Sequence, residues 1–392
     1  MRHYPLLSIH IPAEKLIRRG MININAKYIP ETKTEIAPGT IIDILSSTGQ
    51  FIGRGYYNSN SKIPLRILSF DDEPIDYTFL LKRFEKARKY RERFFSPSDS
   101  YRLIHAEADG LPGLVIDKFN RHYCVQITTY GMERLKPIII DILNNKLKAE
   151  SIFLLCDSLS RKKEGLEPYR QIEFGNPKLP LYAEVNAIRY YFDPLKGHKT
   201  GFFLDQQANR FHAAEFCHGL TVLDMFCYCG AFSIIAAHHG AAEVHGVDIF
   251  SEGLEWANQT AAFHHLESIV TFHREEGTEF MIRHQDRMFD VVFLDPPSLV
   301  RGYRRARRNL NNYKKLNRLA LKLIKPKGML ITSICSYHVS FDDFQQIIGE
   351  VFYDSHRNGY IFSRGHAGFD HPVFPGRKET DYLKTFYIQL MD

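Results

Sequence analysis

Apolar residues in the first seventy positions fall in short runs, IIDIL (41–45), FIGRGYY (51–57) and KIPLRILSF (62–70), separated by the turn-rich SSTG and NSNS. Runs of that length bounded by turn formers predict hairpins that close into a small β-barrel. The acidic DDEP (71–74) ends the pattern. Over 76–95, Leu80, Phe84, Ala87 and Phe94 recur at helical spacing, with Arg83, Lys86, Lys89, Arg91 and Arg93 elsewhere on the wheel, which predicts an amphipathic basic helix opening a second domain. Residues 101–192 mix strands (YCVQITT, SIFLLC, AIRYYF) with an apolar-periodic helix near 131–147, an α+β module. After a linker near Pro194–Lys199, strands and helices alternate. LTVLDMF precedes a helix from Ala231, AEVHGVD a helix from Ser251, VTFHRE another helix, MFDVVFLD a basic helix, and GMLITSIC a helix from Phe341. Alternation at this spacing predicts an α/β domain built on a doubly wound parallel sheet, with helices on both faces. Three domains are expected: 1–72, 73–194 and 195–392.

Composition narrows the class without naming a function. With 44% hydrophobic and 24% charged residues over 392 positions, the chain reads as globular, with enough apolar residues for large cores. No apolar run reaches the roughly 18–20 residues of a membrane span. His and Pro interrupt MRHYPLLSIHIPAEKL before a signal-like apolar stretch forms, so the cytoplasm is the expected compartment and no membrane partner is expected. The six cysteines form no C-x-x-C pair, and the histidines of HAAEFCH (212–218) stand without a second ligand pair. Neither a disulfide framework nor a metal site is expected.

The net charge of +6 is modest, but its distribution is not even. Residues 301–318, RGYRRARRNLNNYKKLNR, carry Arg301, Arg304, Arg305, Arg307, Arg308, Lys314, Lys315 and Arg318 with no acid among them. A solvated helix face is the usual reading of such a run. Its position just after a strand end, with Tyr303 and Tyr313 available to stack on bases, points instead to RNA, with Arg301, Arg304, Arg305, Arg308 and Lys315 on the phosphates.

In a doubly wound sheet, ligands bind outside the carboxyl ends of the strands. The first strand ends in LDMFCYCGAFS (223–233), which places Asp224, Phe226 and Gly230 at the turn into a helix. The second ends at Asp248, 24 residues later, where an acid can bond a nucleoside ribose. The loop lacks a full G-x-G-x-x-G, so a nucleoside without phosphates, such as S-adenosylmethionine, fits better than a pyrophosphate. Glu275 or Glu276 follows the third strand and could accept from an adenine amine, or could simply start a helix. The fourth strand ends in FLDPPSLV (293–300), whose two prolines turn the chain abruptly with Asp295 at the rim. The fifth delivers Cys335. A lone cysteine is more often a core thiol, but beside Asp295 it would flank a small planar group together with a carboxylate.

GHKTGFFLDQQANR (197–210), LDMFCYCGAFS, GVD, FLDPPSLV, YKKLNRLALKLIKPKGML (313–330), TSICS, RLIHAEADGLPGLVIDKF (102–119) and the C-terminal HPVFPGRKETDYLK resemble the RlmI-type S-adenosylmethionine-dependent 23S rRNA 5-methylcytosine methyltransferases. The resemblance implies an N-terminal PUA-like barrel, a small α+β middle domain and a C-terminal Rossmann-like class I methyltransferase domain. It implies S-adenosylmethionine as cofactor, with the turn after Asp224 against the methionine part, Asp248 on the ribose, Glu276 on adenine, and the Phe203, Asp205 and Gln206 of TGFFLDQ beside it. Asp295 would face the target base and Cys335 would be the nucleophile. The chain departs from the pattern at Cys229, where Thr is expected, and at Glu276, where Asp is usual. Ser298 stands where some cytosine methyltransferases place a second cysteine. The implied partner is 23S rRNA or a large-subunit assembly intermediate, and the sequence leaves room for a homodimer. A guanine-N7 methyltransferase of the same architecture and a non-catalytic RNA-binding factor are the alternatives.

Overall fold

The alternating half of the sequence folds into a seven-stranded sheet. A computed structural model describes residues 4–30, 35–297 and 306–392. Strands β1 (Thr221–Met225), β2 (Glu243–Asp248), β3 (Val270–Arg274), β4 (Phe289–Leu294), β5 (Ile324–Cys335), β6 (Gly359–His366) and β7 (Leu383–Leu390) lie in the order β3-β2-β1-β4-β5-β7-β6. The first five are parallel, as expected, and β4 and β5 are neighbours. Two antiparallel strands that the sequence reading did not anticipate complete the sheet, with β7 slotted between β5 and the edge strand β6.

Among the described residues six helices cover the sheet: α1 (Gln207–Ala214), α2 (Ala231–His238), α3 (Ser251–Phe263), α4 (Gly277–Arg283), α5 (Ala306–Lys322) and α6 (Phe341–Asp354). Local chemistry sets their starts. Ser340 and Asp343 form a reciprocal capping box ahead of α6, each side chain accepting the other's backbone N–H at 3.1 and 2.9 Å. One face of the sheet packs Leu223, Met225, Val247, Val292 and Leu294 against Phe280, Leu316 and Phe344 of α4, α5 and α6. On the other face the Phe232 ring of α2 meets Phe293 at 5.1 Å. At the amino ends of the strands Asp290 accepts from Thr221 N (2.8 Å), Thr221 Oγ1 (2.7 Å) and Lys325 Nζ (2.9 Å), tying β1, β4 and β5 together where no chemistry is expected.

The chain divides into two compact units. One contains Met1–Leu179, His198–Gly201 and Asp370–Thr380; the other contains Pro180–Gly197, Phe202–Phe369 and Asp381–Asp392. The seven-stranded sheet belongs to the second, as does the hairpin Leu181–Val185 and Ile188–Phe192. In the first unit, Leu6–Ser8, Thr40–Leu45, Phe51–Tyr57, Leu65–Ser69 and Asn23–Ile24 form the anticipated small β sheet around Ile42, Ile44 and Ile67, with an unanticipated helix at Ile11–Arg18. The α+β module follows as a second five-stranded sheet, with helices Tyr77–Arg91 and Tyr130–Asp141. The Tyr77 helix carries one departure from the expected wheel. Arg91 is fully buried rather than solvated, paired with Asp109 at 2.7 Å, while Phe94 lies beyond the helix and is exposed. A further ion pair, Arg66 to Glu164 at 2.9 Å, joins the small sheet to the second module, and Asn58 Nδ2 (2.9 Å) and Ser61 Oγ also donate to the Glu164 carboxylate.

Candidate functional site

The register of the parallel strands sets which side chains meet. Asp224 pairs with Gly246 on β2 and with Phe293 on β4, and Leu294 pairs with Thr332 on β5. Side chains alternate along each strand. Continuing that alternation, Asp248, Asp224, Asp295, Ser333 and Cys335 fall on one face at the carboxyl ends, the face that also carries Phe293 and α2. Cys335 lies two residues beyond the level of Asp295, about 7 Å farther along the sheet.

The loop from β1 into α2 is built on left-handed backbone at Phe226 (φ 63°), Tyr228 (φ 53°) and Gly230 (φ 70°). Only glycine fits the last of these, since a Cβ there would come within 2.6 Å of the Phe272 ring and 2.9 Å of Ala257. Phe226 packs its ring on Gly277, where an added Cβ would come within 2.8 Å. Asp248 holds the loop from outside, its Oδ2 accepting Tyr228 N at 2.8 Å and its Oδ1 accepting Phe250 N at 2.9 Å. Asp224 is buried and holds it from inside, accepting Ser233 N (3.0 Å) and Ser233 Oγ (2.7 Å). Burial pushes the Asp224 carboxyl up to about 7, with Asp295 raising it further and Arg210 and Ser233 opposing.

The remaining sequence-derived candidates divide by position. The Phe203 ring contacts Tyr228 edge-on at 5.1 Å, beside the loop. Asp205 accepts from Tyr382 Oη at 2.8 Å, and Gln206 donates to Ser333 Oγ at 3.2 Å while accepting from Asn209 at 2.6 Å. These two side chains thus tie the approach to α1 onto β5 and onto Tyr382, the residue before β7. Glu276 is the N-cap of α4, its Oε2 accepting Glu279 N at 2.9 Å. Of the basic run, Arg301, Arg304 and Arg305 lie outside the described residues, as do Tyr303 and Ser298. Arg308 has its backbone on α5, and Lys315 is exposed there. One expectation for this run fails. Tyr313 is fully buried in the core and cannot stack on a base. Lys314 and Arg318 pair with Glu350 and Asp354 of α6, so acids from elsewhere in the sequence neutralise part of the run.

The six cysteines separate clearly. Cys124, Cys156, Cys217, Cys227 and Cys229 are buried, and burial pushes every one of those thiols up, Cys217 and Cys229 to about 12. Cys335 is the partly exposed one. A cation that the sequence reading overlooked stands near it. Lys384 on β7 is almost fully buried, with Nζ donating to Asp381 O (2.7 Å) and to Ser336 O (3.4 Å), the carbonyl just past Cys335. Burial holds its ammonium below the usual lysine range, opposed first by Asp381 and then by the negative charge that Cys335 can carry. Its strand LKTFYIQL is buried on almost every position and carries no period-two alternation, so little in the sequence marks it. Among the described residues no group of three or more His, Cys, Asp or Glu could hold a metal ion, and no helix is long and apolar enough to cross a membrane.

Comparison with known proteins adds to this geometry. A family profile for a PUA-like domain matches residues 8–70, and one for an S-adenosylmethionine-dependent methyltransferase matches residues 174–349. The chain is 35% identical over 353 residues to ribosomal RNA large subunit methyltransferase I of Shewanella denitrificans, covering 88% of this chain and 89% of that one. It is 32% identical over 385 residues to the protein of the same name from Alteromonas mediterranea, covering 97% of each. Among solved structures, SMU.776, described as a methyltransferase and complexed with SAH, superposes with a TM-score of 0.85 at 20% identity, covering 98% of this chain and 100% of that one. At that identity the likeness speaks for the fold.

Proposed function

This chain belongs to the ribosomal RNA large subunit methyltransferase I family and uses S-adenosylmethionine, and from that premise we propose that it methylates carbon 5 of a cytosine in 23S rRNA through a covalent Cys335 adduct. The observation that carries the reading is the one partly exposed thiol of six. It lies at the end of the strand next to the one that ends in Asp295-Pro296-Pro297, on the face shared with Asp224 and Asp248.

The chemistry requires such a thiol. Carbon 5 of cytosine is a weak nucleophile, and addition of a thiolate to carbon 6 moves electron density onto carbon 5. When bound, S-adenosylmethionine supplies an electrophilic methyl on a sulfonium. Asp295 hydrogen bonds the N3 and amine edge of the base, stabilising charge as the adduct forms. Carbon 5 takes the methyl, a base removes the carbon 5 proton, and the Cys335 sulfur leaves as the 5,6 double bond is restored. A free thiol has a pKa near 8.5, so the buried Lys384 ammonium favours the reactive thiolate. In this reading the 226–230 loop holds the methionyl part, Asp248 accepts from ribose hydroxyls, and Glu276 meets the adenine. Lys315 and Arg308, with the arginines at 301, 304 and 305, contact RNA phosphates.

Incubation of unmodified rRNA with the protein and labelled cofactor, followed by nucleoside mass spectrometry, tests the reading. The expected product is 5-methylcytidine, lowered by at least about 10³-fold in Cys335→Ala. RNA carrying 5-fluorocytidine, which cannot lose a proton from carbon 5, should trap the wild type covalently and leave Cys335→Ala free. 7-Methylguanosine that persists in Cys335→Ala would replace this reading with guanine-N7 chemistry. RNA binding without any methyl transfer would leave a non-catalytic factor.

A further inference from the structure

Arg210 sits on α1, in the TGFFLDQQANR stretch, and is only 6% exposed. Among the described residues no ion pair involves it, and neither Nε nor Nη1 has a hydrogen-bond partner. Its guanidinium lies over two rings, 5.0 Å from the centroid of Phe202 and 5.5 Å from that of Phe232. Phe232 is the second residue of α2, directly after the left-handed loop, and its ring packs on Phe293 on the site face of the sheet. The charge of Arg210 is also felt by Asp224 and by Cys229 within the loop. Arg210 is therefore a buried cation beside the cofactor loop.

A buried guanidinium costs several kcal/mol unless an anion and hydrogen-bond acceptors offset its lost hydration. Asp224 does not fill that role, because its carboxylate oxygen is taken by Ser233 N and Oγ and no hydrogen bond joins it to Arg210. Stacking on two rings recovers part of the cost and leaves the N–H donors unused. The missing partner is a planar acceptor carrying negative charge. S-Adenosylmethionine contains one anionic group, the carboxylate of its methionyl part, and a guanidinium matches a carboxylate in charge, planarity and donor spacing.

We propose that Arg210 binds the methionyl carboxylate of S-adenosylmethionine and so fixes the end of the cofactor opposite its adenine. The proposal depends on the cofactor and not on the base that is methylated. Its test uses no RNA, so its outcome is independent of the cytosine reading.

The test is calorimetric binding of S-adenosylmethionine and of decarboxylated S-adenosylmethionine, which keeps the sulfonium, amine and nucleoside. Wild type should bind the decarboxylated compound roughly 10- to 100-fold more weakly, the range expected for a charged hydrogen-bonded contact. Arg210→Gln should lose most of that discrimination, binding S-adenosylmethionine 10-fold or more weakly while its affinity for the decarboxylated compound changes less than about threefold. Arg210→Lys, which keeps the charge but not the planar fork, should fall between. Equal loss of both ligands in Arg210→Gln would make Arg210 a structural support of the loop and overturn the proposal. Equal binding of both ligands by the wild type would overturn it even if the variants failed to fold.

Discussion

Gly230→Ala tests whether the β1–α2 loop is as tightly specified as its geometry implies. At φ 70° an alanine must adopt left-handed backbone, at a cost of about 1–2 kcal/mol. Its Cβ would stand 2.6 Å from the Phe272 ring and 2.9 Å from the Ala257 Cβ, separations that force packed neighbours apart. Overpacking of that kind adds about 1–3 kcal/mol, for a total of about 2–5 kcal/mol. Against a typical domain stability of about 5–15 kcal/mol this is large but survivable. The expected result is a purified, folded variant with a melting temperature lower by roughly 5–15 °C and a reduced urea midpoint. Affinity for S-adenosylhomocysteine should fall as well, because Cys227, Tyr228 and Cys229 follow the backbone that Gly230 anchors. The partition is checkable in a Phe272→Leu background, which removes the ring atoms nearest the new methyl. There the cost of Gly230→Ala should shrink by at least about 1 kcal/mol, leaving mainly the backbone contribution. A cost below about 1 kcal/mol in the wild-type background, or the same cost in both backgrounds, would refute the reasoning.

Two further outcomes follow from buried carboxyls. Glu164→Ala strands Arg66, Asn58 and Ser61 without their shared acceptor, so chemical denaturation should show a loss of about 3–5 kcal/mol; a loss under about 1 kcal/mol would mean water replaces the carboxylate. Asp224, held up at about 7, keeps its proton in the folded state where the unfolded chain has released it. Its contribution is intact below about pH 4 and is lost as pH rises through about 7, so wild-type stability should fall relative to Asp224→Asn over that window, with a slope approaching one proton. Parallel urea titrations at pH 4.5, 5.5, 6.5 and 7.5 measure the difference, and a flat difference would show that Asp224 ionises normally.

The five parallel strands were legible because each is a short apolar run ending in a polar turn, and their carboxyl-end residues could be placed by fold rules alone. Proximity of Asp295 and Cys335 required β4 and β5 to be neighbours, which the parallel register supplies. The antiparallel pair β6 and β7 was not legible. β7 is buried on both faces and so lacks the alternation that marks a strand, and its insertion beside β5 depends on pairing with residues fifty positions away. That omission is also why Lys384 was missed. The partners of Lys314 and Arg318 and the burial of Tyr313 were not legible for a similar reason. The residues of the basic run were read against their sequence neighbours, whereas Glu350 and Asp354 reach Lys314 and Arg318 from a helix 36 residues on, and Tyr313 lies on the buried stripe with Leu316 and Ala320. Arg210 left a fainter trace. It shares helical spacing with Ala213 and Ala214, both buried, so the wheel already placed a cation on the inner face of α1.

The division of the chain into two interrupted units bears on how it is made. Asp370 accepts the backbone N–H of Arg102 at 2.8 Å, a contact spanning 268 residues, and its own carbonyl accepts from the buried Arg91. At translation rates of about 5–20 residues per second, the strand that holds Arg102 leaves the ribosome roughly 13–54 s before Asp370 does. The N-terminal unit therefore spends that interval without its last segment, and Arg91 without one of its acceptors. Both units therefore wait on the end of the chain, the first on Asp370–Thr380 and the sheet of the second on β7, and a nascent chain stalled before residue 370 should stay protease-sensitive around Arg91 and Arg102 until the C-terminal segment arrives.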